Sequence, residues 1–336
     1  MKIVVFMKRI ILIVLTFSTL SVLGQQDAQF TQNFANKLYN NPGFAGMNGA
    51  ICATVIGRQQ WLGFDGAPRT GLISVHAPIK LPIDVNFINL GVGFSAANDI
   101  IGPLSQNVFK LAISNRFTFN AGTLSIGLGV GTLGASIDGS NFLTPDGEDA
   151  TTGVITDPNL APGAAGKAYG FDFDMGAYFR SASNKIFAGV SMMHLTQSEL
   201  EGKAVGGQSN DYKIESHLYV MGGYRIDNLV PDWEFVPSVF LKTEFSTTQF
   251  DFNARAIYKD MVWGGVSYRI QDAVSPMAGY KHDFGKPGVM KIGASYDLNT
   301  SKLRGFNSGT VEVFLNYCFT ITPKPKITIH KNPRWL

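Results

Sequence analysis

The sequence predicts an all-β protein, an outer-membrane antiparallel β-barrel of about fourteen strands. Three observations support this fold: an apolar export segment at the N-terminus, recurrent alternation of apolar and polar residues, and an unusual composition. Of 336 residues, 16% are charged, 12% are aromatic and 37 are glycine. A typical soluble domain has ~25% charged residues. Past residue 24 no apolar stretch is long enough for a membrane helix, so strands would have to span the membrane.

Residues 1–24 are predicted to be a signal peptide. Lys2, Lys8 and Arg9 precede an apolar run from Ile10 to Leu23, and Gly24 supplies a small residue at the cleavage point. An uncleaved anchor helix is the alternative, but the run is shorter than the ~20 residues of a membrane span.

The positive charge of the chain also lies in this segment. The sequence has 28 basic and 25 acidic residues, and Lys2, Lys8 and Arg9 account for the whole excess because no acid lies in 1–24. From residue 25 onward the chain is therefore neutral, and no nucleic-acid partner is expected.

Alternation with a period of two is clearest in residues 168–180. Tyr169 and Phe171 lie on one face, and Asp172 and Asp174 on the other. Glycine, serine and charges of both signs on the polar face are typical of a crowded lumen, whereas the aromatic face suits lipid. A soluble β-sandwich alternates too and is the alternative. The predicted lumen charges are Lys110, Arg116, Asp172, Asp174, Arg180, Glu215, Arg225, Lys242, Glu244, Asp251, Arg255, Arg269 and Glu312.

Fourteen segments show strand patterns, an even number as in single-chain bacterial barrels. They are 51–61, 69–77, 89–98, 104–119, 123–137, 168–182, 185–195, 214–227, 234–246, 249–259, 261–271, 275–284, 289–299 and 309–320. With a periplasmic N-terminus, connections after odd strands face outward and should be longer. The loops 138–167 and 196–213 follow this rule, whereas 78–88 and 247–248 do not.

Aromatic residues near strand ends are expected to form the interfacial girdles of the barrel. They are Trp61, Phe64, Trp233, Phe235, Trp263 and Phe319. Glycines within the strand pattern, Gly127, Gly129, Gly131 and Gly134, are expected to permit close approach or curvature.

The sequence predicts no catalytic, cofactor or metal site, and no enzyme. His217 and His282 are expected to face inward near Asp227 or Asp283, where a Ser-His-Asp site could assemble. Because no nucleophile motif accompanies them, hydrogen bonding in the lumen is favoured. No pair of histidines has zinc-ligand spacing. The acidic loop 138–167 leaves calcium binding open, although its spacing matches no calcium loop.

Two cysteines in an exported chain invite a disulfide. Cys52 lies near the start of the first predicted strand and Cys318 near the end of the last, and alternation points both inward. Closure of the barrel would make these strands neighbours, so we predict a bridge across the seam, with Cα atoms about 4.4–6.8 Å apart. Two small buried residues are the alternative.

Several motifs resemble the PorP/SprF family of type IX secretion membrane proteins of Bacteroidetes. They are Gln29-Phe30, Asn41-Pro42-Gly43-Phe44-Ala45-Gly46, Gly57-Arg58-Gln59-Gln60-Trp61, Gly63-Phe64-Asp65-Gly66-Ala67-Pro68, Ser74-Val75-His76-Ala77-Pro78, Phe187-Ala188-Gly189-Val190-Ser191 and the C-terminal Asn332-Pro333-Arg334-Trp335-Leu336. The family often has Ala at the place of Gly43 and Tyr at that of Phe44.

The resemblance implies a barrel in the cell outer membrane that works with the type IX secretion machinery. Members are paired with large secreted adhesins, often for gliding motility, and assist export or surface attachment through the adhesin's C-terminal domain. An outer-membrane porin or solute channel is the second possibility, and a barrel enzyme the third.

We therefore expect four parts: a signal peptide (1–24), a periplasmic or plug segment inside or under the barrel (25–50), the barrel (51–320), which contacts outer-membrane lipids, and a periplasmic tail (321–336). Two sets of residues are candidates for partner binding: Trp61, Leu62 and Phe64 on the outer rim, and Lys324, Lys326, Arg334 and Trp335 in the basic tail. An aromatic belt and a solvated tail are the respective alternatives.

Overall fold

A computed structural model describes residues 27–79, 88–137, 168–202, 210–286 and 288–319. Seventeen strands occur in these ranges: β1 (Ile51–Gln59), β2 (Arg69–Pro78), β3 (Leu90–Ile101), β4 (Leu104–Phe119), β5 (Gly122–Ile137), β6 (Ala168–Ser181), β7 (Ile186–Met193), β8 (Glu199–Gly202), β9 (Asn210–Lys213), β10 (His217–Tyr224), β11 (Ile226–Val230), β12 (Trp233–Thr243), β13 (Thr248–Tyr258), β14 (Val262–Arg269), β15 (Ala273–Asp283), β16 (Val289–Asn299) and β17 (Thr310–Phe319). A one-turn helix α1 (Lys37–Asn40) and 3₁₀ turns at Pro42–Phe44 and Lys302–Gly305 are the helical elements described. None of these helices is long and apolar enough to span a membrane.

Fifteen of these strands form a closed antiparallel barrel. The barrel has fourteen strands, as the sequence predicts, when β10 and β11 are counted as one interrupted strand. Neighbours along the chain pair in order, β1 pairs with β17 at the seam, and β7 pairs with β10. The strand predicted at 214–227 is interrupted at Arg225, so β10 and β11 both pair with β12. The wall has no free edge there, which satisfies the backbone hydrogen bonds that lipid cannot.

The region 196–213, predicted as a loop, contains a small hairpin of β8 and β9. Its two strands have four residues each and lie outside the barrel sheet. Strongly polar segments this short carry too little alternation to be recognised.

The outer face of the barrel is apolar, as the alternation predicts. Leu111 and Phe171 are each 59% exposed, whereas the residues next to them in sequence, Lys110 and Asp172, are buried in the lumen. Such a band of exposed apolar side chains is the lipid-facing surface of a membrane barrel.

The two ends of the barrel differ. At the end where β1 begins and β17 ends, the turns at 120–121, 182–185 and 259–261 are short; we name it the turn end. The opposite end, with the connections 60–68, 194–216 and 300–309 and the span between β5 and β6, is named the loop end. The structure of loop 138–167, and with it the calcium question, lies outside the described residues.

One predicted girdle residue lies elsewhere. Trp263 is 6% exposed and points into the lumen, so its assignment to an interfacial girdle is wrong. Its neighbour Val262 is 51% exposed and takes the lipid side. The indole fits because Gly279 and Gly293 lie beside it, where an added Cβ would come within 2.2 Å and 2.5 Å of the Trp263 ring.

Candidate functional site

The lumen is occupied by residues 27–50, which we name the plug. Its Phe34 ring lies edge-on to Trp263 and Phe314 of the wall, with centroid distances of 5.3 Å and 5.8 Å. The Arg255 guanidinium lies 3.8 Å from the centroid of the Phe34 ring, on its face. Aromatic edge contacts and a cation over a ring each contribute ~0.5–1.5 kcal/mol beyond burial, so the plug is packed against the wall.

Thr31 joins the plug to the wall near the loop end. Its backbone N–H donates to Glu312 over 2.8 Å, and its hydroxyl donates to Asp297 over 2.8 Å. Arg58 donates to the Thr31 hydroxyl over 2.7 Å and forms salt bridges with Asp297 at 2.8 Å and Glu312 at 3.0 Å. All of these side chains are buried, and buried charges are tolerated only when they are paired in this way.

Arg269 continues this cluster around the wall. It contacts Asp251 at 3.1 Å, Asp272 at 3.0 Å and Asp297 at 3.7 Å. It also donates to the backbone carbonyl of Phe30 over 3.4 Å. One guanidinium therefore connects three strands to the plug, which uses the several fixed donors of arginine.

Asp27, at the start of the described plug, is held in a second cluster. Its carboxylate lies 3.1 Å from His194 Nε2 and accepts a hydrogen bond of 2.8 Å from Tyr219, and its backbone carbonyl accepts one of 2.6 Å from Lys242. Burial raises the pKa of Asp27, but His194, His217 and Lys242 together hold that pKa well below its usual range. Asp27 is therefore ionised, and it is anchored at the loop half of the lumen.

Lys110 and His194 form the neighbouring part of this cluster. Lys110 Nζ lies 3.3 Å from Asp172 and 3.0 Å from Asp174, and His194 Nδ1 lies 2.8 Å from Asp172. The sequence predicted lumen charges at Lys110, Asp172 and Asp174. It did not indicate Asp27 or His194 as their partners, because no motif links residues so far apart.

Two groups in these clusters have metal-ligand chemistry. They are Asp27, His194 and His217, and Asp172, Asp174 and His194, with ligand atoms within 4.8 Å of one another. An ammonium lies beside each group: Lys242 donates to the backbone carbonyl of Asp27 in the first, and Lys110 contacts the carboxylates of Asp172 and Asp174 in the second. A divalent cation bound at either group would be repelled by that ammonium. We therefore assign both groups to ion pairing and hydrogen bonding.

The plug reaches the wall closely where the wall has glycine. The Asn41 side chain accepts a hydrogen bond from Gly43 N–H over 2.8 Å and donates to the Ala177 carbonyl over 3.0 Å. A Cβ at Gly127 would come within 2.4 Å of Pro42, and one at Gly91 within 2.3 Å of the Ala45 carbonyl. The predicted role of lumen glycines in close backbone approach applies to Gly127.

The predicted rim residues lie at the loop end. Phe64 is 50% exposed, Trp61 and Leu62 are half-buried, and the Trp61 and Phe64 rings lie 6.4 Å apart. Leu62 exchanges backbone hydrogen bonds of 2.8 Å with Ser308 and Gly309 of the adjacent loop. Trp61 has φ of 43°, a left-handed conformation that costs a bulky residue ~1–3 kcal/mol. The tail candidates Lys324, Lys326, Arg334 and Trp335 lie outside the described residues.

The structure brings together the two cysteines. Cys52 and Cys318 are register partners of β1 and β17, with Cα atoms 4.1 Å apart and sulfurs bonded. The Cα distance is just under the expected range, as befits residues directly opposite on adjacent antiparallel strands.

His217 has the hydrogen-bonding role in the lumen that the sequence favours. His217 pairs with Glu244 at 2.8 Å, whereas Asp227 pairs with Lys185 at 2.6 Å. His282 lies at the turn end against the Phe284 ring, 4.3 Å between centroids. No hydrolase triad involving His217 and His282 is therefore present in the described part of the chain.

The family model for the type IX secretion system membrane protein PorP/SprF matches residues 22–317. The chain belongs to the PorP/SprF family. The family is one of type IX secretion membrane proteins, and the fold is that of outer-membrane barrels. No curated protein matches the chain.

Solved structures support the barrel fold. The toluene transporter TbuX of Ralstonia pickettii is 12% identical and gives a TM-score of 0.53. The match covers 90% of this chain and 100% of the TbuX chain. A mutant of the monoaromatic hydrocarbon channel TodX is 10% identical, covers 87% of this chain over 95% of its own, and gives 0.51. At such identities these similarities show the fold alone.

Proposed function

We propose that this PorP/SprF member assists the export or surface attachment of a large secreted adhesin, through the adhesin's C-terminal domain, in support of gliding motility in a Bacteroidetes cell. Membership in a type IX secretion family supplies the machinery partners. In this proposal residues 1–24 export the chain, the loop end faces the medium and the turn end faces the periplasm, the usual side of short turns.

The observation that carries the proposal is the plug. Thr31 of the plug forms one buried hydrogen-bonded cluster with Arg58 and Glu312 of the wall. A solute channel requires an open polar path, whereas a lumen filled in this way favours action through the outer surfaces of the protein. Because acidic and basic side chains are mixed in this cluster, it does not form the ring of like charges with which a channel selects ions.

The rim at Trp61 and Phe64 is the surface we assign to the adhesin domain. Exposed apolar groups beside polar loops mark protein interfaces, and aromatic residues dominate binding energy there. The strained backbone of Trp61 is maintained by hydrogen bonds from its own N–H to Thr310 and from Leu62 to Gly309. Strain kept by surrounding structure is a feature of functional positions.

Capture of an adhesin C-terminal domain by the purified full-length protein tests this proposal. The double variant Trp61→Ala/Phe64→Ala should weaken capture about tenfold or more, since central aromatic residues contribute ~2 kcal/mol or more. The matched control Trp233→Ala/Phe284→Ala removes two exposed aromatic residues elsewhere on the barrel and should leave capture unchanged. Equal capture by both variants would exclude the rim, and no capture by the wild-type protein would exclude the function.

A further inference from the structure

The half of the lumen nearer the turn end holds a cavity that the proposed function does not use. Its volume is about 480 Å³, and Phe34, Lys37 and Phe44 of the plug line it together with the wall. Pockets of ~300–1,000 Å³ enclose ligands the size of a small molecule. The cavity therefore has room for the end of a peptide, though not for a folded domain.

The charge of this cavity is one-sided. Its lining includes six cationic side chains and a single carboxylate, that of Asp260. The cations are Lys37, Arg180, Arg225, Arg255, Lys281 and Lys291. The loop half of the lumen differs, because its cations are paired with an equal or larger number of carboxylates.

Few of these cations have an acidic partner. Lys281 pairs with Asp260, and Arg225 lies 3.2 Å from Glu234. Arg180, Arg255 and Lys291 form no ion pair with a carboxylate among the described residues. Clustered cations without counter-charges repel one another, and an anionic ligand would relieve that repulsion.

Lys37 of the plug lies close enough to these cations for their charge to affect its pKa. Its ammonium donates to the Tyr178 hydroxyl over 2.9 Å and lies 4.1 Å from the centroid of the Phe187 ring. Burial, followed by the charges of Arg255 and Lys291, lowers the pKa of Lys37 to about 7. The neighbouring cations therefore add to the effect of burial on Lys37.

We infer that this cavity, the cationic vestibule, binds the acidic end of a peptide segment from a periplasmic protein. This inference rests on the proposed function for the orientation of the turn end. Several uncompensated cations call for a ligand with several anionic groups, and consecutive Asp or Glu residues with a terminal carboxylate supply them. The chain's own tail, residues 321–336, contains Lys324, Lys326 and Arg334 and no acidic side chain, so its sequence does not offer that ligand.

Fluorescence anisotropy of an N-terminally labelled tetraglutamate peptide with the full-length protein in detergent tests the vestibule. The double variant Arg180→Gln/Lys291→Gln removes two cations that carry no described contact with the plug, and it should weaken peptide binding about tenfold. The matched control Lys302→Gln/Arg304→Gln removes the same charge at the loop end and should bind as the wild-type protein does. Affinity should also fall as salt rises.

Three outcomes would overturn the inference. They are no peptide binding by the wild-type protein, equal loss in both double variants, and displacement of the peptide by inorganic phosphate or lipopolysaccharide at equal charge concentration, which would assign the vestibule to a small oxyanion or a lipid. Adhesin-domain capture measured in the same variants separates the two proposals, because changes in the vestibule should leave the rim unaffected. Electrophoresis of unheated samples verifies that each variant is a folded barrel.

Discussion

At the residue scale, the single side chain of Arg58 makes several of the contacts that attach the plug to the wall. Its guanidinium contacts Thr31 of the plug and two carboxylates of the wall, and each of these groups is buried. Desolvating an ion pair costs much of what the pair gains, so this cluster specifies where the plug lies more than it adds net stability. Removing Glu312 leaves buried Arg58 with only one of its two carboxylates, in a place away from water.

Glu312→Gln tests this cluster. Arg58 keeps Asp297 but loses the second carboxylate, so the free energy of unfolding should fall by about 3 kcal/mol, as when other buried pairs are broken. Urea unfolding of the full-length protein in detergent measures the change. Asp227→Asn removes an exposed pair with Lys185 and should leave the free energy of unfolding nearly unchanged, because solvent screens exposed ion pairs. Equal losses in the two variants would show that burial adds nothing at Glu312.

At the element scale, β1 and β17 close the barrel. They pair over nine residues, from Ile51 opposite Phe319 to Gln59 opposite Val311, with Cys52 and Cys318 in register. The two cysteines are 266 residues apart in sequence. A bond between them ties together the first and last strands and restricts the unfolded chain.

The disulfide should be visible on gels of heat-denatured protein. The non-reduced wild-type chain, cross-linked over 266 residues, should migrate faster than the reduced chain because its unfolded form is more compact. The Cys52→Ser/Cys318→Ser variant should migrate identically under both conditions and should be less stable by ~2–4 kcal/mol. Identical migration of the wild-type chain with and without reductant would contradict the bridge.

Elements of the wall could be predicted from sequence because their signal is local. Phe109, Leu111 and Ile113 alternate with Lys110 and Ser114, and this period of two sets both the strand and the side each residue faces. Strand ends were less accurate: β10 starts three residues after its predicted start, and Arg225 breaks the predicted strand.

The plug shows where local signals stop. The Asn41-Pro42-Gly43 turn could be read from sequence, but the wall residues that hold it come from β5, β6 and β7. Asp27 meets His194 and His217 only after the barrel closes. Such contacts depend on register and curvature, which no alternation pattern contains. The girdle prediction for Trp263 was wrong for the same reason, because the glycines beside its ring, Gly279 and Gly293, give it room in the lumen.

At the scale of the whole molecule, the lumen is divided by charge. The loop half holds Asp27, Asp251, Asp297 and Glu312 around a few cations, while the vestibule at the turn half is cationic. The plug lies between the two halves and contacts both, through Thr31 in one and Lys37 in the other. The lumen therefore has two chemically distinct halves, and we expect the plug to keep them separate.

Deletion of residues 27–45 tests this separation. The barrel strands pair without the plug, so the variant should still insert into planar bilayers. It should open a steady single-channel conductance that the wild-type protein lacks, because Phe34 and the Thr31 cluster no longer fill the lumen. It should also unfold at lower urea concentration, since the buried charges of Arg269 and Asp297 lose their plug partners. Deletion of 321–336, which lies outside the plug, is the control and should leave the lumen closed. A wild-type protein that already conducts as the deletion variant does would show that the plug does not separate the two halves, and would favour the porin over the adhesin partner.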